Sequence, residues 1–151
     1  MDDDNRHIEY RTGKPFTGTI RYISVNNHAS RELSRRDDLE ALLYMIVFLH
    51  KGKLPWQGLP ATADVRERYK QVGLVKHNIK ASELCSSMPP HYASFLSTVK
   101  KLQFEQRPPY EDLRANFYQS LLQMGVSMPK EIYDWNEAHE PKSDQQQQQQ
   151  Q

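Results

Sequence analysis

The chain has 151 residues, which is the usual length of one domain, and its 20 Lys and Arg balance 19 Asp and Glu. The net charge of +1 excludes a strong overall field, so nucleic acid and anionic membranes are not expected partners and any recognition by charge must be local. Cys85 is the only cysteine, which excludes an intramolecular disulfide and a cysteine-rich metal site and is typical of a reducing compartment.

The N-terminal stretch Met-Asp-Asp-Asp-Asn-Arg is acidic and lacks the apolar segment of a secretory signal. We therefore expect a cytoplasmic or nuclear protein. Residues 1 to 15 are polar and follow neither helical nor strand periodicity, which predicts a loop. Phe16 to Asn27 mixes β-branched and aromatic residues with a glycine and is compatible with a short strand or an ordered loop packed on the domain.

The run from Leu39 to Leu49 contains a single charged residue, Glu40, so a helix built from it is apolar around its whole circumference. It is too short to cross a bilayer, so we expect it to be enclosed by the rest of the chain or by a partner. Ser34 and Asp37 have capping-box spacing at its start, and Gly52 is placed to end it. The sequence thus predicts a mainly α domain around a buried central helix.

A turn and a short helix are predicted next. Two prolines and a glycine make Lys53 to Pro60 a turn, and Trp56 is the residue expected to anchor it. Thr62 is an eligible N-cap for an amphipathic helix ending near Val72. Ala81 to Cys85 predicts one further helical turn.

Two longer amphipathic helices are predicted after the proline pairs at 89–90 and 108–109. Gly125 is placed to end the second. Their apolar positions recur at three- and four-residue steps and are Tyr92, Phe95, Leu96, Val99 and Leu102 in the first, and Tyr110, Leu113, Phe117, Leu121 and Met124 in the second. Residues 137–151 end in seven glutamines and are predicted to be a disordered tail.

Several motifs in this order resemble the casein kinase I family of serine/threonine protein kinases. The matching stretches are Phe16-Thr-Gly-Thr-Ile-Arg-Tyr-Ile-Ser-Val-Asn26, Ser34-Arg-Arg-Asp-Asp-Leu-Glu40, Leu54-Pro-Trp-Gln-Gly-Leu59, Leu102-Gln-Phe-Glu105, Tyr110-Glu-Asp-Leu-Arg114 and Tyr133-Asp-Trp-Asn136. The resemblance spans about residues 7 to 136. It implies a partial activation-segment loop at 1–15 and a kinase C-lobe at 16–136, with Leu39 to Leu49 as the central helix of that lobe.

The catalytic motifs of a kinase lie upstream of this region and are not in the sequence. A kinase needs a Gly-rich loop, a strand lysine, a catalytic-loop Asp and a metal-binding Asp-Phe-Gly. The six glycines form no Gly-x-Gly, and neither His-Arg-Asp nor Asp-Phe-Gly occurs. The intact family uses ATP and Mg, but no cofactor or metal is expected in this chain. We expect either a truncated gene product or a gene model without its upstream half.

The resemblance also assigns roles to individual residues. It implies that Thr19 hydrogen-bonds the catalytic-loop Asp and Lys of an intact enzyme and that Asp38 holds the backbone of that loop. A helix N-terminal carboxylate explains Asp38 equally well. Neither residue is catalytic by itself.

An anion-binding pocket is implied by three further residues: Arg21, Gly58 and Arg68. Arg68 matches only if one residue is inserted ahead of Tyr69. Charge-assisted hydrogen bonds from two guanidinium groups and a backbone N–H suit a phosphate or an acidic side chain. The alternative is that both are ordinary solvated or ion-paired arginines. Arg35 and Arg36 are too few for a nucleic-acid patch.

Three hypotheses follow. In the first, the chain is a casein kinase I-like C-lobe that is inactive by itself. In the second, it is a non-catalytic module that binds acidic or phosphorylated protein segments. In the third, it is a poorly folded fragment whose exposed apolar surface promotes aggregation.

Overall fold

The computed structural model of the chain describes residues 7–59 and 64–125. These residues are mainly helical, which confirms the predicted fold class at that level. Their helices are α1 (Val25–His28), α2 (Arg35–Lys51), α3 (Val65–Asn78), α4 (Ala81–Leu84), α5 (Pro90–Lys101) and α6 (Tyr110–Gln123). Within the described ranges, β-pairing is limited to one antiparallel bridge between Thr12 and Arg31. None of these helices has the length and apolar character needed to cross a membrane.

Helix α2 is the predicted central helix, and its ends lie close to the expected positions. The Asp37 carboxylate accepts a hydrogen bond of 2.9 Å from the backbone N–H of Ser34, which is the carboxylate half of a capping box. At the other end Gly52 adopts φ +75°, a left-handed conformation that glycine takes without steric cost, and its N–H donates to the Phe48 carbonyl. Local capping therefore defines this helix independently of its packing.

The prediction that the chain encloses α2 on every side is wrong for the described residues. Leu43, Tyr44 and Val47 are fully buried, but Leu42, Met45 and Leu49 are 41%, 40% and 73% exposed. Helices α1 and α5 pack on α2. They cover the buried side only. The exposed residues recur at the three- and four-residue spacing of one helical stripe, and the alternative of enclosure by a partner stays a prediction.

Within the predicted stretch from Phe16 to Asn27, residues 16–24 form an ordered loop and α1 begins at Val25, so the strand alternative is wrong. Asn27 ties the loop together, since its side-chain N–H donates to the Thr17 carbonyl at 2.8 Å. The Ser24 hydroxyl caps α1 by accepting from the backbone N–H of Asn27. This short helix was not predicted because a four-residue helix is too short to show a periodic pattern.

Helices α3, α4 and α5 lie where the sequence pattern predicts them, apart from their limits. The predicted N-cap Thr62 lies outside the described residues. The N-cap of α3 is Asp64, whose carboxylate accepts from the backbone N–H of Arg66 at 2.8 Å. Helix α3 continues to Asn78, well beyond the predicted end at Val72. Helices α4 and α5 have the predicted positions and pack against each other.

The described residues divide into two compact units after Asn116. The first contains α1 to α5 and the start of α6, where Leu113 is buried. The second is described only from Phe117 to Gly125. In it Leu121 and Met124 are exposed, and Gly125 follows the helix with φ +70°. The predicted Gln-rich tail and the motif at 133–136 lie outside the described residues.

Helices α1 and α3 approach closely at His28 and Gly73. A side-chain carbon at position 73 would come within 2.8 Å of the His28 Cβ, so glycine permits this contact. Burial, assisted by the nearby charge of Lys76, lowers the pKa of His28 to about 4. The His28 imidazole of the folded protein is therefore neutral at neutral pH.

We expect His28 to make the protein less stable as the pH falls from about 6.5 to about 4. The folded-state pKa is below the ordinary value, so over this range the unfolded chain binds more protons. Because the ring is partly exposed, the expected contribution is about 1–2 kcal/mol. Urea unfolding of a His28→Gln variant across this pH range should show a shallower acid loss than the parent. His77→Gln, on the exposed side of α3, should retain the parent slope, and equal slopes for all three proteins would contradict the assignment.

Candidate functional site

Thr19 and Asp38 line the same cavity, although they are far apart in the sequence. The cavity has a volume of about 330 Å³ and lies between the loop at 17–24 and the first turns of α2. Gly18, Tyr22 and Ala41 also line it. Partial burial, and then the adjacent charge of Asp37, raise the pKa of Asp38. Asp38 is thus part of the lining of this cavity.

Asp37, the neighbouring carboxylate, is buried and fixes the loop to the helix. Its Oδ1 accepts from the Ser24 hydroxyl at 2.7 Å and from the Asn26 amide at 3.0 Å. Its Oδ2 accepts from the Ser34 N–H, and Arg36 Nε lies 3.7 Å from the same oxygen. The two adjacent carboxylates therefore have different surroundings. Asp37 is saturated by hydrogen bonds inside the protein, and Asp38 lines the cavity.

Glu40, the single charge in the apolar run, is buried as well. One of its oxygens accepts from the Tyr44 hydroxyl at 2.6 Å and from the backbone N–H of Val25 at 3.1 Å. Burial raises the pKa of Glu40, while these two hydrogen bonds oppose the shift. Burial and the proximity of Glu40 also raise the pKa of Tyr44. This pair links the start of α1 to the middle of α2.

Lys76 on α3 also holds the loop at 17–24 in place. Its side chain is fully buried, and its Nζ donates to the carbonyls of Ile20 at 2.8 Å and Ile23 at 2.7 Å. The ammonium group also lies 5.2 Å from the ring centre of Tyr44 and 5.0 Å from that of Trp56. Burial lowers the pKa of Lys76 to about 7, and the charge of Glu40 opposes this shift.

Arg21 lies between the two carbonyls held by Lys76 and is brought next to the turn that contains Gly58. The Trp56 indole N–H donates to the Arg21 carbonyl at 2.8 Å, which joins the loop to this turn. The Arg21 guanidinium lies 4.8 Å from the ring centre of Phe48 and 5.7 Å from that of Tyr22. Gly58 is exposed and has φ +88°. The anchoring role predicted for Trp56 is confirmed.

Arg68 is not brought to the other two residues of the predicted anion pocket by any contact of the described residues. It is exposed on α3, where its backbone N–H donates to the Asp64 carbonyl. The stretch from 60 to 63, which connects Gly58 to the cap of α3, lies outside the described residues. The geometry therefore joins Arg21 to the Gly58 turn and leaves the third member of the pocket a prediction.

Sequence reasoning missed Lys76 and the buried role of Glu40. A signal for Lys76 existed, because Tyr69, Val72 and Lys76 follow one another at three- and four-residue steps on one side of α3. Cys85 is buried, and burial raises the pKa of its thiol, with the charge of Lys51 opposing. Among the described residues, no group of three His, Cys, Asp or Glu side chains could hold a metal ion.

No model of a known protein family matches the sequence.

Proposed function

We propose that residues 16–136 are the C-lobe of a casein kinase I-like serine/threonine protein kinase and that this chain does not transfer phosphate by itself. The observation that carries the proposal is the cavity shared by Thr19 and Asp38. The resemblance gives both residues the task of supporting one catalytic loop. Two residues with a common task must face a common space, and the loop at 17–24 folds back on α2 so that they do.

The exposed stripe of α2 supports the same proposal. Leu42, Met45 and Leu49 continue from Asp38 at the spacing of one helical face. A contiguous apolar stripe on a central helix is unusual for a solvent-exposed protein surface and is suited to packing against further polypeptide. In the proposed kinase, the lobe segments that this sequence does not contain occupy this side.

The residues of this chain then divide into scaffold and substrate side. Asp37, Glu40 and Lys76 fix the loop that presents Thr19 and Arg21. Binding and orienting ATP with Mg requires the Gly-rich loop, the strand lysine and the Asp-Phe-Gly, which this sequence does not contain. Phosphoryl transfer depends on that positioning, so the scaffold without those parts is expected to be inactive.

The isolated chain is therefore expected to show neither ATP binding nor phosphorylation of casein. Titration calorimetry with Mg-ATP and a radiolabel transfer assay on purified residues 1–151 measure both properties. A sample inactivated by heat serves as the blank for non-enzymatic signal. Transfer activity that is abolished by a substitution within this chain would contradict the proposal.

A second candidate function is a non-catalytic module for acidic or phosphorylated protein segments. It is favoured by the hydrogen bond from the Trp56 indole to the Arg21 carbonyl, which joins the backbone of Arg21 to a turn where Gly58 leaves space for an anion. In this function Arg21 binds the phosphate group and Gly58 permits its close approach. Arg68 is the third predicted contact.

We expect Arg21→Ala to weaken binding of a phosphoserine peptide about tenfold, since one charge-assisted hydrogen-bonding group is removed. Fluorescence anisotropy with phosphorylated and unmodified forms of one peptide measures the effect. Arg66→Ala is the matched control, because Arg66 is an exposed arginine at the start of α3. Equal affinity for the two peptides, or no change with Arg21→Ala, would exclude this function.

A further inference from the structure

A second cavity lies between α1 and α3, outside the site described above. Its volume is about 440 Å³, within the range of small-molecule pockets. Val25 and Ala29 line it from α1, and Gly73 and Leu74 from α3. It shares no lining residue with the Thr19 cavity.

The charged side chains at this cavity are both cations. Arg31 and Lys70 line it, and its lining includes no carboxylate. Arg31 gives one hydrogen bond to Asn26, at 3.1 Å, which leaves other guanidinium N–H groups for a ligand. The nearby Glu32 is occupied by Lys14 at 3.0 Å. In the described part of the chain, neither Arg31 nor Lys70 forms an ion pair.

Part of the wall of the cavity is apolar, and His28 and His77 line it as well. Leu74 is 60% exposed and offers apolar surface there. Gly73 adds no side chain, and the neighbouring His28 packs its Cβ against that position. Val25 and Ala29 complete the apolar lining. An apolar ring placed against Leu74 would therefore lose contact with water on one face.

We propose that this cavity binds an aromatic group that carries a phosphate. The ring packs on Leu74 and Val25, and the anion accepts hydrogen bonds from Arg31 and Lys70. Both parts are required, because two exposed cations alone bind a solvated anion weakly. The same chemistry is offered by a free aryl phosphate and by a phosphotyrosine side chain in a peptide. The site is independent of the kinase proposal.

The test is a titration followed by amide NMR with phenyl phosphate as the probe. Gly73 is one of only six glycines, so its amide signal is readily assigned, and Gly58 reports on the other anion site in the same spectrum. We expect phenyl phosphate to shift Gly73 and Ala29 at concentrations that leave Gly58 unchanged. Inorganic phosphate has the anion without the ring, and benzyl alcohol has the ring without the anion. Each should bind about tenfold more weakly than phenyl phosphate or not at all.

The variant Arg31→Ala/Lys70→Ala should weaken phenyl phosphate binding at least about tenfold. The control Lys53→Ala/Arg66→Ala removes two exposed cations outside the lining and should bind as the parent does. All four positions are exposed, and an unchanged melting temperature verifies folding. Binding of inorganic phosphate equal to that of phenyl phosphate, or full binding by the first variant, would overturn the proposal. A phosphotyrosine pentapeptide that binds more tightly than phenyl phosphate would identify a phosphotyrosine peptide as the ligand. A pentapeptide that binds more weakly would identify a free aryl phosphate as the ligand.

Discussion

Alanine at position 37 is expected to lower the free energy of unfolding by about 3–5 kcal/mol, because a saturated buried carboxylate is removed and its partners are left without an acceptor. The Ser24 hydroxyl, the Asn26 amide and the Ser34 N–H all donate to Asp37. Of these, Ser24 is itself buried and cannot reach water without local opening. Urea unfolding followed by circular dichroism measures the loss.

Asp38→Ala is the matched control for this prediction. It removes the same charge from the same helical turn, but Asp38 is exposed and lines the cavity. Its removal also relieves repulsion with Asp37, so we expect a change of less than about 0.5 kcal/mol in either direction. Equal destabilisation by the two variants would mean that the buried hydrogen bonds of Asp37 do not distinguish it from a helix N-terminal charge.

Methionine at position 76 is expected to destabilise the fold by about 2–4 kcal/mol. Methionine keeps an unbranched apolar stem of similar size but cannot donate to the carbonyls of Ile20 and Ile23. These two acceptors lose their donor, and the contacts of the ammonium group with the Tyr44 and Trp56 rings are lost as well. Thermal and urea unfolding measure the loss of stability.

The variant should also loosen the loop that carries Arg21, since both carbonyls flank that residue. Amide exchange at Ile20 to Ile23 is expected to accelerate more than exchange in α5. Lys53→Met, at an exposed position, is the control and should leave both quantities unchanged. A Lys76→Met protein as stable as the parent would show that the cost of burying the cation equals what its contacts contribute.

The central helix illustrates how far sequence reasoning extends. Its limits depend on local chemistry, namely the capping carboxylate of Asp37 and the left-handed Gly52, and both were visible in the sequence. Which side of the helix is buried could not be predicted, because an all-apolar run has no polar face to orient it. Glu40, the single charged residue of the run, would have suggested the wrong side as the exposed one, because its carboxylate is buried and hydrogen-bonded to Tyr44 and Val25.

The candidate site likewise has a part that the sequence could predict and a part that it could not. Thr19 and Asp38 were selected by motif alone, and their meeting in one cavity depends on the turn at Thr19 to Tyr22 and on the buried hydrogen bonds of Lys76. Hydrogen bonds between a side chain and a distant carbonyl have no periodic signal in a sequence. Arg68 was matched by allowing one inserted residue ahead of Tyr69, and no contact of the described residues brings it to Arg21 or Gly58.

The central proposal, a casein kinase I-like C-lobe, is tested most directly by restoring what the sequence lacks. A fusion of the upstream half of a casein kinase I, ending at its Asp-Phe-Gly, to residues 7–151 can be assayed for ATP-dependent phosphorylation of casein. We predict that the fusion phosphorylates casein and that Asp38→Ala lowers its rate at least about 100-fold without changing its melting temperature, because the catalytic loop loses its support. A cooperatively folded fusion that binds ATP but transfers no phosphate, or one whose rate is insensitive to Asp38→Ala, would contradict the account.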